Sequence, residues 1–206
     1  MKITKVEALY EGWGQYLLAV VTKPDGRQIR REVESHGDAA AVLAYDPRRR
    51  TALLARQLRV PMLLAAGITE TLEVAAGLID GDEEPEACIR REAAEELGLT
   101  LRDLEPVVTM MTMPGLSTER IHLFLAAYGA EDRTGEGGGL ASEEEDVTIA
   151  EMSLAELAAL ADRGELADAK TLVLLQTLRL RRPGLFGPAA EGASEWPHLS
   201  QNNAIK

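Results

Sequence analysis

Cysteine, basic charge and long apolar runs are all scarce in this sequence. A single cysteine, Cys88, excludes an internal disulfide and a cysteine-rich metal site within one chain, and fits a reducing compartment. No run approaches the roughly 20 apolar residues that span a bilayer. The opening MKITKVEALYEGWGQYLLAV is broken by charge and glycine where a signal peptide would be continuously apolar, so a cytoplasmic protein without a membrane partner is expected. Lys and Arg number 22 against 34 Asp and Glu, giving a net charge of −12. That balance argues against a nucleic-acid partner, because such binding rests on Lys and Arg meeting backbone phosphate. It does not exclude phosphate substrates, since divalent cations sit between carboxylates and phosphoryl oxygens. His36, His122 and His198 have no metal-ligand spacing and read as structural.

The 206 residues, 46% of them apolar, suffice for one sizeable domain with trimmings. YLLAVVTKPDGRQIRREVESHG reads as a hairpin around a Pro-Asp-Gly turn. AAAVLAYDPRRRTALLARQLRV reads as a second hairpin, with arms apolar enough to be buried on both faces. ETLEVAAGLI predicts one further strand, LEPVVTMMTMPGLSTERIHLFLAAY two more, and VTIAEMS the last. Residues 131–146, rich in glycine and charge, predict an exposed mobile loop. LAELAALADRGEL and DAKTLVLLQTLRLRR carry apolar residues at helical spacing, ended by Gly164 and Pro183. The expected class is α/β (α+β): a mixed sheet with helices on both faces. Residues 1–38 form an N-terminal antiparallel strand unit, 39–182 the main domain, and 183–206 an irregular tail docked through Phe186 or Trp196.

GLIDGDEEPEACIRREAAEELGL, residues 77–99, holds eight acids and two arginines. Pro85 suits a first helical turn and Gly98 a C-terminal stop, predicting a helix over 85–97. At about 100° per residue, Ile89, Ala93 and Leu97 make an apolar stripe, with Glu92, Glu95 and Glu96 on the adjoining arc. Like charges at this spacing cost roughly 0.2–0.5 kcal/mol per pair, and Arg91 offsets only part of that. Either the face is simply solvated, or a divalent ion neutralises it; Mg²⁺ and Mn²⁺ favour several carboxylate oxygens shared with substrate phosphate.

The whole string decides between these. Gly77, Glu83, Arg91, Glu92, Ala93, Glu95, Glu96, Gly98 and Leu99 match every specified position of G-x5-E-x7-R-E-u-x-E-E-x-G-u, where u is apolar. This is the signature of the Nudix hydrolases, and the chain resembles that superfamily. The resemblance implies a Nudix-type α/β/α sandwich with a catalytic loop-helix-loop, and hydrolysis of a nucleoside diphosphate linked to another group. Glu92 and Glu96 would be the principal Mg²⁺ ligands, Glu95 a further ligand or helper, and the Ala76 carbonyl a completing donor. Arg91 would hold Glu95, and Glu83 would brace the loop.

LARQLRVP, TLEVAAGLID, MPGLSTERIHLFLAAY, GGGLASEEEDV and GELADAKTLVLLQTLRL are together similar to the nucleotide-sugar pyrophosphatase group, which cleaves GDP-mannose or ADP-ribose. The implied reaction is GDP-mannose to GMP and mannose 1-phosphate; the alternatives are ADP-ribose to AMP and ribose 5-phosphate, or a module that binds a nucleotide without cutting it. Glu119 is the candidate general base, with the acidic run from Glu143 to Asp146 as its rival. Arg56 and Arg59, at the end of an expected central strand, suit phosphate or sugar oxygens, and Glu73 suits a base or sugar; surface salt bridges are the plainer account of all three. The relatives are homodimers whose N-terminal strands complete the partner's pocket, which would bring the hairpin near Arg30 and Arg31 to the other chain's site.

Overall fold

Strand β4 (Ala39–Asp46) is buried along all eight residues. Its alternating side chains feed two cores. Ala40, Val42 and Ala44 pack with Ile89, Ala93 and Leu97 of helix α2 (Pro85–Leu97). Ala41, Leu43 and Tyr45 pack with Leu154 and Leu157 of α3 (Leu154–Asp162), and with Leu174, Leu175 and Leu178 of α4 (Ala169–Arg181). One strand thus fixes three layers, and the protein is an α/β/α sandwich. The computed structural model describes residues 1–140 and 146–187.

The central sheet runs β10 (Thr148–Ser153), β5 (Thr51–Gln57), β4, β9 (Ile121–Ala127), β8 (Glu105–Met110). It is mixed, because β4 lies parallel to β9 while its other neighbours are antiparallel. A separate antiparallel sheet of β1 (Lys2–Glu11), β2 (Gln15–Thr22) and β3 (Gln28–Ser35) occupies the N-terminus. β1 is exposed at every residue, and register shifts at Ile3/Lys5 and Ala8/Tyr10 interrupt its pairing with β2. Among the described residues no helix is long and apolar enough to cross a membrane.

Three expectations need correction. The strand expected to reach Val60 stops at Gln57, and helix α1 (Val60–Ala66) follows, with Pro61 in its first turn and Gly67 closing it in the left-handed region at φ 70°. Its seven residues are all apolar and none is buried, so no contrast between an apolar and a polar face marked it in the sequence. ETLEVAAGLI forms two short strands, β6 (Thr71–Glu73) on β5 and β7 (Ala75–Leu78) on β4. β4 and β5 pair with each other only over Ala44–Asp46 and Thr51–Leu53, and the β6–β7 segment fills the gap where they diverge. Finally, the glycines expected in a free loop are docked. Gly138 N–H donates to the Glu96 carbonyl at 2.9 Å and Gly139 N–H to that of Glu95 at 3.0 Å, satisfying carbonyls at the end of α2. Of the tail, Phe186 packs against the core beside α4, and Trp196 lies outside the described residues.

Candidate active site

The acidic helix forms over the expected residues, but two of its carboxylates, Glu92 and Glu96, are buried rather than solvated. Glu92 is 8% exposed and Glu96 1%. Burial of charge is tolerable only where partners are supplied. The Ala76 N–H donates to Glu96 Oε2 at 3.2 Å, and Arg91 Nη1 donates to Glu92 at 2.7 Å and to Glu95 at 3.1 Å. Arg91 Nη2 reaches Glu83 at 3.2 Å and the Leu78 carbonyl at 3.3 Å. The hydrogen bond from Arg91 holds the Glu83 carboxyl below its ordinary range. One guanidinium therefore ties three carboxylates to the strand entering the helix. Beneath it, burial pushes the Cys88 thiol up to about 12, consistent with a packing residue rather than a nucleophile.

Gly77 lies so close to Glu92 that a Cβ there would overlap its carboxylate. β7 and α2 approach where the Ala76 N–H meets the buried Glu96 and Gly77 abuts the buried Glu92. Among the described residues no three acidic, histidine or cysteine side chains already converge as a ligand set, and Arg91 supplies the local positive charge. The donor chemistry nevertheless suits a hard divalent cation, since every candidate is a carboxylate or carbonyl oxygen. Gly77, whose missing side chain gives the Glu92 carboxylate its place against β7, fits the same assignment.

A pocket of about 360 Å³ opens beside this cluster, lined by Ala76 and Gly77, by Arg59, by Lys170, by Glu119 and by His36. Its cationic wall is a network. Arg59 donates to both oxygens of Glu73, at 2.8 and 2.9 Å, and Lys170 Nζ bonds Glu73 at 3.3 Å and Asp168 at 2.7 Å. Asp168 also caps α4 through the Thr171 N–H at 3.0 Å, while the Thr171 hydroxyl receives the Val74 N–H at 2.8 Å. Burial would lower the Lys170 pKa, but the charges of Asp168 and Glu73 outweigh it and hold the ammonium protonated. Arg59 is likewise held charged by Glu73 against burial.

The structure distributes the expected site residues unevenly. Arg59, Ala76 and Glu119 share the pocket, and Glu92, Glu95, Glu96 and Arg91 lie in the adjoining cluster. Arg59 stands at the N-cap of α1 rather than on β5. Glu73 is 2% exposed beneath Arg59 and Lys170, so it anchors those cations. Arg56 pairs with Glu70 at 3.1 Å and lines a different depression beside Leu72 and Leu166. Arg31 lies exposed on β3, its guanidinium bonded to the Arg30 carbonyl. Glu143 lies outside the described residues. His36, Trp13, Asp168 and Lys170 had no functional reading in the sequence; GELADAKT pointed to the last two only as part of a likeness.

The sequence profile of the NUDIX domain matches residues 35–175. The chain is 43% identical over 164 residues to a GDP-mannose pyrophosphatase of Cronobacter sakazakii, covering 78% of this chain and 84% of that one. It is 37% identical over 163 residues to a GDP-mannose pyrophosphatase of Escherichia coli O157:H7, with 78% and 84% covered. A solved structure described as an ADP compounds hydrolase superposes with a TM-score of 0.71 over 89% of this chain and 94% of that chain, at 19% identity, a likeness of fold. Nudix hydrolases generally need a divalent metal, which agrees with the oxygen-rich cluster around Gly77. With the signature, the sandwich and these relatives in agreement, the chain belongs to the Nudix family and is a Nudix hydrolase.

Proposed function

We propose that this Nudix hydrolase cuts the phosphoanhydride of a nucleoside diphosphate sugar, converting GDP-mannose and water to GMP and mannose 1-phosphate. The observation that carries the reading is the 43% identity to a GDP-mannose pyrophosphatase over 78% of the chain. Two anchored cations lining the pocket beside the acidic cluster support it. Arg59 and Lys170 attract and orient the diphosphate. Glu119 accepts a proton from the attacking water as an oxygen–phosphorus bond forms and the bridging phosphorus–oxygen bond breaks. Glu92, Glu96 and the Ala76 carbonyl would hold Mg²⁺, with Mn²⁺ as a substitute, while Arg91 and Glu95 orient them. When bound, the ion masks phosphate charge, activates water and stabilises the leaving group. The acidic run beginning at Glu143 is the rival source of the base.

A homodimer belongs to this reading. β1 is exposed along its whole length, and Ile3, Val6, Leu9 and Tyr10 are among its uncovered apolar residues. Such a surface suits a second copy of the chain. Residues 1–38 are then the crossing unit, 39–182 the catalytic domain and 183–206 a tail, with Arg31 reaching the partner's pocket. The lone buried cysteine suits a cytoplasmic location. Incubation with GDP-mannose and Mg²⁺ in ¹⁸O-labelled water tests the reaction: GMP and mannose 1-phosphate, one carrying the label, support it. Intact substrate after prolonged incubation sinks it.

A further inference from the structure

Glu119 does not stand alone at the pocket edge. His36 Nε2 lies 3.1 Å from Glu119 Oε1, and its Nδ1 contacts Glu34 Oε1. The other Glu119 oxygen accepts from the Thr112 hydroxyl at 3.4 Å. Trp13 stacks on the imidazole, with centroids 5.0 Å apart and planes 24° from parallel. The backbone closes the same seam: Glu34 N–H donates to the Leu116 carbonyl at 2.9 Å, and Thr118 N–H to the Glu34 carbonyl at 3.0 Å. The end of β3 is thereby fastened to the loop that carries Glu119.

We propose that His36 is a positioning residue for Glu119, its imidazolium bridging Glu34 and Glu119 so that the candidate base is held at the pocket edge. This rests on the reading of Glu119 as the base. A carboxylate oxygen offers only acceptors, so two carboxylates on one ring require a donor at each nitrogen, and only the imidazolium has both. Neutral imidazole keeps one proton and must turn a lone pair toward the other carboxylate. The surrounding charges leave His36 as the connector. Asp38 is bound to Arg120 at 2.5 Å, Arg59 to Glu73, and Lys170 to Asp168. Burial disfavours charge on the ring, but the hydrogen bonds to Glu34 and Glu119 prevail and raise its pKa above the ordinary value. The same bridge, with the Ser117 hydrogen bond, keeps the Glu34 carboxyl below its usual range against the effect of burial.

The bridge opens as pH rises through the His36 pKa, and turnover falls with it. His36→Phe keeps a ring for Trp13 and removes both donors; His36→Arg keeps a permanent cation that can serve two carboxylates. Both are compared with the parent and with Glu119→Gln, using GDP-mannose and Mg²⁺ from about pH 5.5 to about pH 9.5, with melting curves as a fold control. His36→Phe should lower kcat roughly 10- to 100-fold with KM within about 3-fold, as expected for misplacement of a reacting group. His36→Arg should recover most of that loss and lack the parent's alkaline fall. A folded His36→Phe enzyme with parental kcat, or an alkaline fall unchanged in His36→Arg, overturns the proposal. If Glu119→Gln turns over at the parental rate, the assignment of the base itself is wrong, whatever His36 does.

Discussion

Gly77 and Glu92 are in such close approach that the glycine has no room for a side chain: a Cβ would occupy the carboxylate's position. Since β7 is held to β4 through the Ala41–Ala76 and Ala40–Gly77 pairs, the strand cannot retreat without breaking the sheet. Gly77→Ala should therefore displace Glu92 and cost about 1–3 kcal/mol of stability, the usual range for overpacking. Activity should fall by at least about 100-fold, because the displaced group is a candidate metal ligand. Melting temperature and kcat/KM, measured together, separate the two effects. A variant with near-parental kcat/KM would show that the cluster tolerates movement of Glu92.

Glu96 is 1% exposed and receives the Ala76 N–H, so its carboxyl group is built into the entry to α2. Glu96→Gln preserves shape but removes the charge. We expect kcat/KM to drop by roughly 100-fold or more, and higher Mg²⁺ to recover little of it. Mg²⁺ titrations of the folded variant make the check. Rates within a few-fold of the parent would remove Glu96 from the catalytic apparatus.

Glu73 holds Arg59 and Lys170 from beneath. In Glu73→Gln the two cations lose a shared counter-charge in a buried setting, which should cost about 2 kcal/mol, less than a fully enclosed pair because Arg59 remains partly exposed. KM should rise roughly 10-fold with a smaller change in kcat, since the diphosphate meets misplaced cations in both ground and transition states. Steady-state kinetics beside chemical denaturation tests both halves.

Protonation of His36 also contributes to stability, with a definite sign. Its pKa is raised on folding, so the native state binds the proton more tightly than the unfolded chain. The contribution is complete below the ordinary imidazole value of about 6.5 and is lost as pH climbs through the higher folded value. The stability difference between the parent and His36→Phe should therefore shrink from mildly acidic to alkaline pH. Denaturation at several pH values measures it, and a difference that grows with pH would contradict the bridge.

What the sequence made legible was whatever is local. The signature helix runs over Pro85–Leu97 as its proline and terminal glycine imply, because capping and periodicity act within one segment. β4 and β5 were recognisable as central strands from uniform apolarity. The misread parts depend on distant partners. Helix α1 buries nothing, and β6 and β7 separate because two neighbouring strands diverge. The burial of Glu92 and Glu96 was hidden, since carboxylates predict exposure until the Ala76 N–H and Arg91 are seen to meet them. His36 and Lys170 escaped notice because each acquires its role from residues far along the chain, Glu119 for the first and Glu73 for the second.

On the proposed function, the pocket lined by Arg59 and Lys170 beside the acidic cluster serves a nucleoside diphosphate sugar. The most direct measurement is kcat/KM for GDP-mannose, ADP-ribose and ADP-glucose under one Mg²⁺ concentration, with products identified by mass. GDP-mannose should be preferred by at least about 10-fold, the discrimination that even modest pocket contacts supply. A preference for ADP-ribose would contradict the substrate assignment while sparing the chemistry. No turnover of any of the three would contradict the account as a whole.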